Sequence, residues 1–359
     1  MKILLPTLYD TRGGSTRVLL AAAQALRPGH AVTVRAPLPE ADEPVPPLFP
    51  SRPLTGRWRK LAVLPVLARL VAREALALRR LRPDVIHVHD EPSLYVYGLA
   101  ARFSRPRPHL LWHLHADAGR GRLARLRVAL ADSCILISDH IAPPEGLPAT
   151  LIRNPLPALA PLPAPGGDPL ARLAVVGAIV PRKGQDLAVD ALARLRPAHP
   201  QARLTLIGPE LDAAYAATLR SRIAALGLEE AVDFAGERPP ETAFAGVGLA
   251  LFPSRAEAQP LALAEALARA LPIAASDIPA HRAMRAATQA TALSLASLTP
   301  EADAPDALAT AILTAARTLP SPDLAARTRA LHDPARFAEA LRARIAALAA
   351  DLSQRSPAG

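Results

Sequence analysis

Glu257 and Glu265 stand eight residues apart in PSRAEAQPLALAEALARALPIAASD, residues 253–277, a segment otherwise built largely of Ala and Leu. An ionised carboxylate only accepts hydrogen bonds, so two of them beside an apolar helix suit the binding of neutral hydroxyls, such as those of a sugar or a ribose. Arg269, four residues beyond Glu265, offers a structural alternative, an i,i+4 ion pair contributing about 0.3–0.5 kcal/mol. No such partner accounts for Glu257. The spacing puts it in the loop before the helix, with Pro260 at the first helical position.

A second group is cationic. Arg182 and Lys183 lie in the loop from Gly177 to Gly184, directly before a helical run that begins at Gln185. Positive charge at a helix start opposes the macrodipole by a few tenths of a kcal/mol, a penalty that a bound anion would remove. A solvated basic loop is the alternative. A third group is the pair Gly13-Gly14 in DTRGGST, residues 10–16, where glycines permit a tight turn and the helix start offers N–H groups to an anion. An ordinary turn capped by Ser15 explains it equally, and it is not the spaced glycine fingerprint of dinucleotide enzymes. His115 closes the run HLLWHLH, where the plain reading is a strand-end histidine satisfied by backbone. His87 and His89 share one face of DVIHVHD, but two ligands do not make a metal site, and no metal is expected.

The elements that would carry these loops alternate between two periods. KILLPTL, HAVTVRA, DVIHVHD, HLLWHLH and SCILIS read as strands, with helical runs at STRVLLAAAQALR and RKLAVLPVLARLVAREALALRRL. Residues 154–169, NPLPALAPLPAPGGDP, hold six prolines and two glycines and form the best linker. The same grammar then restarts, with RLAVVGAI, ARLTLIG, AVDFAG, GLALFPS and LPIAASD as strands and DLAVDALARLRP, AAYAATLRSRIAALG and LALAEALARAL as helices. Alternating strands and helices imply parallel sheets with right-handed crossovers, and ligands of such folds bind at the carboxyl ends of the strands.

Composition narrows the partners. A chain of 359 residues exceeds what one core usually serves. A net charge of +10 favours anionic partners, while an aromatic content of 3% argues against stacking modules for nucleic acid, so none is expected as a partner. The single cysteine, Cys134, reads as a small core residue and points to a reducing compartment. The opening apolar run is too short for a signal-peptide core and no spanning helix is evident, so a cytoplasmic or peripheral protein is expected.

The E-x7-E spacing from Glu257 to Glu265, with GGSTRVLLAAAQALRPGHAVTV, RPDVIHVHD, VVGAIVPRKGQDLAVDALARL and LGLEEAVDFAGERP in that order, resembles the group 1 retaining glycosyltransferases of GT-B fold over nearly the whole chain. The resemblance implies an α/β architecture of two doubly wound Rossmann-like domains facing across a cleft. Residues 1–160 would form the acceptor-side domain, residues 161–335 the nucleotide-sugar donor domain, and residues 336–359 a helix returning to the first domain with a frayed tail. It implies transfer of a sugar from a nucleoside-diphosphate donor, without a cofactor, to a glycan, cell-envelope or lipid-linked acceptor. His115, Lys183 and Glu257 would then be catalytic, and Gly13, Gly14, Arg182 and Glu265 substrate-binding. By that analogy Glu257 holds donor-sugar hydroxyls, Glu265 the ribose, Lys183 the diphosphate, and His115 lies near the reacting sugar.

The chain also departs from the family pattern. Ala178 stands where Arg commonly follows the loop glycine, with Arg182 beside the lysine as a substitute charge; Ala258-Gln259-Pro260 replaces a glycine-rich turn; Pro155 follows Asn154 where glycine is usual; and Ala283 replaces an acid. A weak or inactive nucleotide-sugar-binding relic, or an assembly partner, is therefore the alternative, while the acids, histidines or pyridoxal lysine of related epimerases and phosphorylases are missing. Residues 55–82 combine seven arginines and one lysine with a single acid, Glu74, and suit either an anionic membrane surface or an ordinary solvated helix.

Overall fold

Strands buried on both faces read as continuous apolar runs, and that pattern dominates the computed structural model, which describes residues 1–10, 13–47, 59–157, 159, 166–290, 293–299, 301–318 and 322–355. Thr11 and Arg12 of the glycine loop, residues 55–58 of the basic segment, residues 158 and 160–165 of the linker and the tail from 356 lie outside the described residues. The chain divides into two compact units, Met1–Pro155 with Pro334–Gly359, and Leu156–Asp333.

The first unit runs β1 (Lys2–Pro6), α1 (Gly14–Leu26), β2 (Ala31–Ala36), β3 (Glu43–Pro44), α2 (Arg59–Leu81), β4 (Val85–Val88), α3 (Glu91–Ala100), β5 (His109–Leu114), α4 (Arg122–Leu130), β6 (Ser133–Leu136) and β7 (Ala149–Leu151). Its strands form one parallel sheet in the order β3-β2-β1-β4-β5-β6-β7, with Ile3 beside Val85 and Val88 beside Trp112. The order reverses between β1 and β4, so the loop after β1, which carries Gly13 and Gly14, lies at the topological switch point. Glu74, the one acid of the basic segment, is fully buried: Arg35 of β2 reaches it through Nε at 2.7 Å, Arg73 at 2.6 Å, and the Tyr97 hydroxyl of α3 donates at 2.7 Å. Burial raises the Glu74 pKa, but these hydrogen bonds and the Arg35 charge outweigh it and hold the carboxyl below its usual range.

The second unit follows with β8 (Leu173–Val176), α5 (Gln185–Leu195), β9 (Leu204–Ile207), α6 (Ala213–Ala225), β10 (Val232–Gly236), β11 (Leu249–Phe252), α7 (Leu261–Ala268), β12 (Ile273–Ser276), α8 (Pro279–Thr288), β13 (Leu293–Ala296), α9 (Ala304–Ala316) and α10 (Pro322–Leu331). Its sheet is parallel in the order β10-β9-β8-β11-β12-β13. Alternation along the strands builds two cores: Val175, Leu249 and Leu251 belong to one, Ala174, Ala250 and Phe252 to the other. The final helix, α11 (Pro334–Arg355), belongs to the first unit, where Arg342 donates to the carbonyl of Ala25 in α1.

Several local expectations are corrected. Helix α7 stops at Ala268 instead of Leu271, because Ala270 adopts φ +59° and the N–H groups of Ala270 and Leu271 turn back onto the carbonyls of Leu267 and Ala266, a Schellman closure. Pro260 is the N-cap of α7 rather than its first helical residue, and Gly13, not Ser15, caps α1, with no side-chain hydrogen bond. His115 falls just beyond the end of β5.

Candidate donor site and a buried histidine cluster

The switch point of the second sheet lies between β8 and β11, which pair directly through Ala174 and Ala250. The loops after these two strands are the ones that carry Lys183 and Glu257. After β8 the chain turns at Gly177, passes through a single 3-10 turn at Pro181–Lys183, and enters α5 through Gly184 in the left-handed conformation at φ +68°. A Cβ on Gly184 would lie 2.1 Å from the Pro253 carbonyl oxygen, so only glycine lets the first loop close onto the second. A Cβ on Gly177 would press on the aliphatic stem of Lys183 at 3.2 Å, so glycine there leaves room for the lysine to lie across the strand end.

Lys183 and Arg182 converge on one carboxylate. Lys183 Nζ is 2.6 Å from Glu257 Oε1 and Arg182 donates to Oε2 at 2.9 Å, while the Ser254 hydroxyl donates to Oε1 at 2.9 Å. The Glu257 side chain is 8% exposed. Burial raises its pKa, and the charges of Lys183 and Arg182, with the hydrogen bonds from Lys183 and Ser254, overcome that and hold it ionised below its usual range. Arg255 fastens the loops together: its N–H donates to the Arg182 carbonyl, and its guanidinium spans the Pro181 carbonyl and both oxygens of Asp186. Sequence reading missed Arg255 and Asp186 as supports, although Arg255 stands two residues before Glu257.

Glu265 lies in the fifth position of α7 and is buried. The two terminal nitrogens of Arg269 donate to the carbonyls of Glu241 and Pro240, and the charge of Glu265 also acts on that guanidinium. Ala178 contributes its carbonyl, which accepts from Gln185 at 2.8 Å. The structure thus brings Arg182, Lys183 and Glu257 into direct contact, with Glu265 on the helix that follows Glu257.

Gly13, Gly14 and His115 belong to the first unit. Among the described residues, a Cβ on Gly13 would meet nothing within 4 Å. His115 is half-buried and sits in a cluster with His87, His89 and His113, whose ring centroids lie 4.3–5.4 Å apart. Burial pushes the His115 pKa down to about 3; burial and then the charge of His115 do the same to His87. His113 and Asn154, which sequence reading did not single out, complete the cluster. The repeated H-x-H of HVH and HLH was the available signal.

The comparisons follow this division. Residues 12–143 match the model described as Glycosyltransferase Family 4, and residues 171–318 match Glycosyl transferases group 1. HepE of Anabaena, solved with UDP and glucose, is 22% identical and superposes at a TM-score of 0.70 over 98% of this chain and 99% of its own. Sucrose-phosphate synthase of Thermosynechococcus elongatus is 19% identical at a TM-score of 0.67, over 99% of this chain and 100% of its own. An exopolysaccharide phosphotransferase of Streptomyces coelicolor is 38% identical over 102 residues, 28% of this chain and only 10% of that protein, so the chain matches about a tenth of its length. With two family models matching across both parallel-sheet units and the fold shared by these solved enzymes, the chain belongs to the group 1 glycosyltransferases and has the GT-B fold.

Proposed function

We propose that the chain transfers a sugar from a nucleoside-diphosphate donor, with retention at the anomeric carbon, to a glycan, cell-envelope or lipid-linked acceptor. The observation that carries this reading is the contact of Lys183 and Arg182 with buried Glu257 at the switch point of the second sheet. Two cations preorganised there match the charge that develops on a departing diphosphate, so they favour the transition state over the ground state. In this reading Lys183 and Arg182 bind the diphosphate, Glu257 the sugar hydroxyls and Glu265 the ribose. Gly13 and Gly14 let backbone approach the substrates, and His115 lies beside the reacting sugar. The complexes of HepE with UDP and glucose support a uridine-linked donor.

The test is a thermal-shift panel of UDP, GDP, ADP and their common sugars, with chelator, on the wild type and Lys183→Ala. Ligand at ~100 times its dissociation constant adds about 2.7 kcal/mol to the unit that binds it. One nucleotide should shift the wild type and not the variant, and sugar turnover of the variant should fall by orders of magnitude. Shifts of equal size in both proteins would remove Lys183 from the site.

On the acceptor side, a lipid-linked substrate suits the helices of the first unit. Helix α4 exposes Leu123 and Leu126 beside Arg122 and Arg125, and α2 exposes Leu76 and Arg69, a pairing of apolar and cationic groups fit for an anionic bilayer. Arg73 is spent on Glu74 and is not part of that surface. No helix among the described residues is long and apolar enough to cross a membrane. Reversing the charges of Arg69, Arg122 and Arg125 should abolish cosedimentation with phosphatidylglycerol vesicles; a wild type that ignores such vesicles would refute the surface role.

A further inference from the structure

The four histidines owe their meeting to register. His87 and His89 are two residues apart at the end of β4 and so share a face; Val88 lies beside Trp112, which brings His89 beside His113 on β5. His115 follows two residues on. His87 Nε2 is 3.3 Å from His113 Nδ1, His113 Nε2 is 3.1 Å from Asn154 Oδ1, Asn154 Nδ2 is 3.5 Å from His115 Nδ1, and His115 Nε2 is 3.2 Å from His89 Nδ1. Asn154, 1% exposed, is the middle of this chain of five side chains.

With Asn154 oriented so that Oδ1 faces His113 and Nδ2 faces His115, donor matching assigns the protons. A neutral imidazole has one donor and one acceptor nitrogen, and an amide has a distinct acceptor end and donor end. Because Asn154 Oδ1 accepts, His113 carries its proton on Nε2, and its Nδ1 accepts from His87 Nε2–H. Because Asn154 Nδ2 donates, His115 keeps its lone pair on Nδ1 and its proton on Nε2, which donates to His89 Nδ1. His89 is thereby protonated on Nε2. The chain ends at His87 Nδ1 and His89 Nε2, neither of which meets a hydrogen-bond partner among the described residues. His113, His115 and His89 each accept through Nδ1 and so must be neutral for the chain to hold, and burial lowers the pKa of all four rings.

We infer that Asn154, His89 and His113 are positioning residues that fix His115 in the Nε2–H tautomer, so that the half-buried ring meets a substrate hydroxyl as a hydrogen-bond acceptor at Nδ1. The 3.5 Å contact from Asn154 is the longest in the chain and the one that a hydroxyl would displace. The role in transfer rests on the reading of the chain as a sugar transferase; the tautomer does not. A metal ion is the other chemistry a histidine cluster can serve. Candidate ligand atoms of His87, His89 and His113 lie within 4.8 Å of one another, but ring-to-ring hydrogen bonds already engage all three side chains.

The test is the long-range 1H–15N correlation spectrum of histidine-labelled protein at neutral pH. His115 should appear as the Nε2–H tautomer in the wild type. In Asn154→Asp, whose carboxylate can only accept, its proton should move to Nδ1. Activity supplies the second readout: His89→Leu should lower kcat at least tenfold with KM for the donor and the melting temperature unchanged, and His89→Gln, whose amide oxygen can still accept from Nε2–H, should restore most of it. An Nδ1–H tautomer in the wild type, a spectrum unaltered by Asn154→Asp, or stoichiometric zinc in protein purified without chelator would overturn the assignment. A correct tautomer with unchanged kcat in His89→Leu would overturn the positioning role. If the wild type transfers no sugar from any donor, the transferase reading fails, and the spectrum still decides the hydrogen-bond chain.

Discussion

Glu257 holds two opposite roles at one position. Without donor it neutralises Lys183 and Arg182, the cations proposed to receive a diphosphate, so a bound nucleotide must compete with a buried carboxylate already 2.6 Å from the lysine. Replacing it by Gln keeps an acceptor for Ser254 but removes both the competition and the repulsion of the incoming anion. Glu257→Gln should therefore bind the free nucleoside diphosphate about tenfold tighter, a gain of about 1.4 kcal/mol, while sugar transfer falls at least a hundredfold. Calorimetric titration with UDP beside a turnover assay measures both, and weaker UDP binding would defeat the electrostatic account. Lys183 and Glu257 were legible in the sequence because each stands in a short loop between a recognisable strand and helix. Asn154 was not, since it lies 41 residues from His113 and meets it only through the sheet.

The same contrast holds for elements. Long apolar strands and the Ala/Leu/Arg helices α1, α2, α5 and α6 are legible from period alone, and α2 covers the residues that its pattern marks. The two-residue strand β3 is not, because Glu43-Pro44, paired with Arg35 and Ala36 of β2, is too short and too polar to show a strand period. Helix ends were misread where a residue adopts a conformation its type disfavours. Ala270 closes α7 at φ +59°, a left-handed position that costs a non-glycine residue roughly 1 kcal/mol. Nothing in the residue type announces it. Ala270→Gly should accordingly raise the stability of the second unit by about 1 kcal/mol, seen as a higher denaturant midpoint with unchanged slope. A lower midpoint would mean that the alanine methyl packs usefully enough to outweigh its backbone strain.

At the scale of the whole molecule, the two units differ in the balance of their buried titrating groups. The first buries neutral imidazoles: His87 is held at about 3, and His89 and His113 well below their ordinary value, by burial first and by their neighbours second. In the unfolded chain these rings titrate near 6.5. Between about pH 6.5 and pH 3 the unfolded state therefore binds more protons than the folded one, and stability falls as pH is lowered through that window, by up to ~1.4 kcal/mol per pH unit for each ring. Three fully buried rings together approach ~4 kcal/mol per unit, a large share of the 5–15 kcal/mol that stabilises an ordinary domain. Asp90 pulls the other way, because burial raises its carboxyl pKa above the ordinary carboxylate value. The second unit also buries His281, whose pKa burial lowers, beside depressed carboxylates at Glu257 and Asp186, whose contribution is present above the ordinary carboxylate range and lost as pH falls through it. Calorimetric scans at pH 7.5, 6.5, 5.5 and 4.5 should thus show the transition of the first unit falling more steeply below pH 6.5 than that of the second. Two transitions that move together, or a first unit indifferent to pH above 5, would mean that the histidine cluster takes up protons in the folded state, and that its rings are not the closed neutral chain that the hydrogen-bond geometry describes.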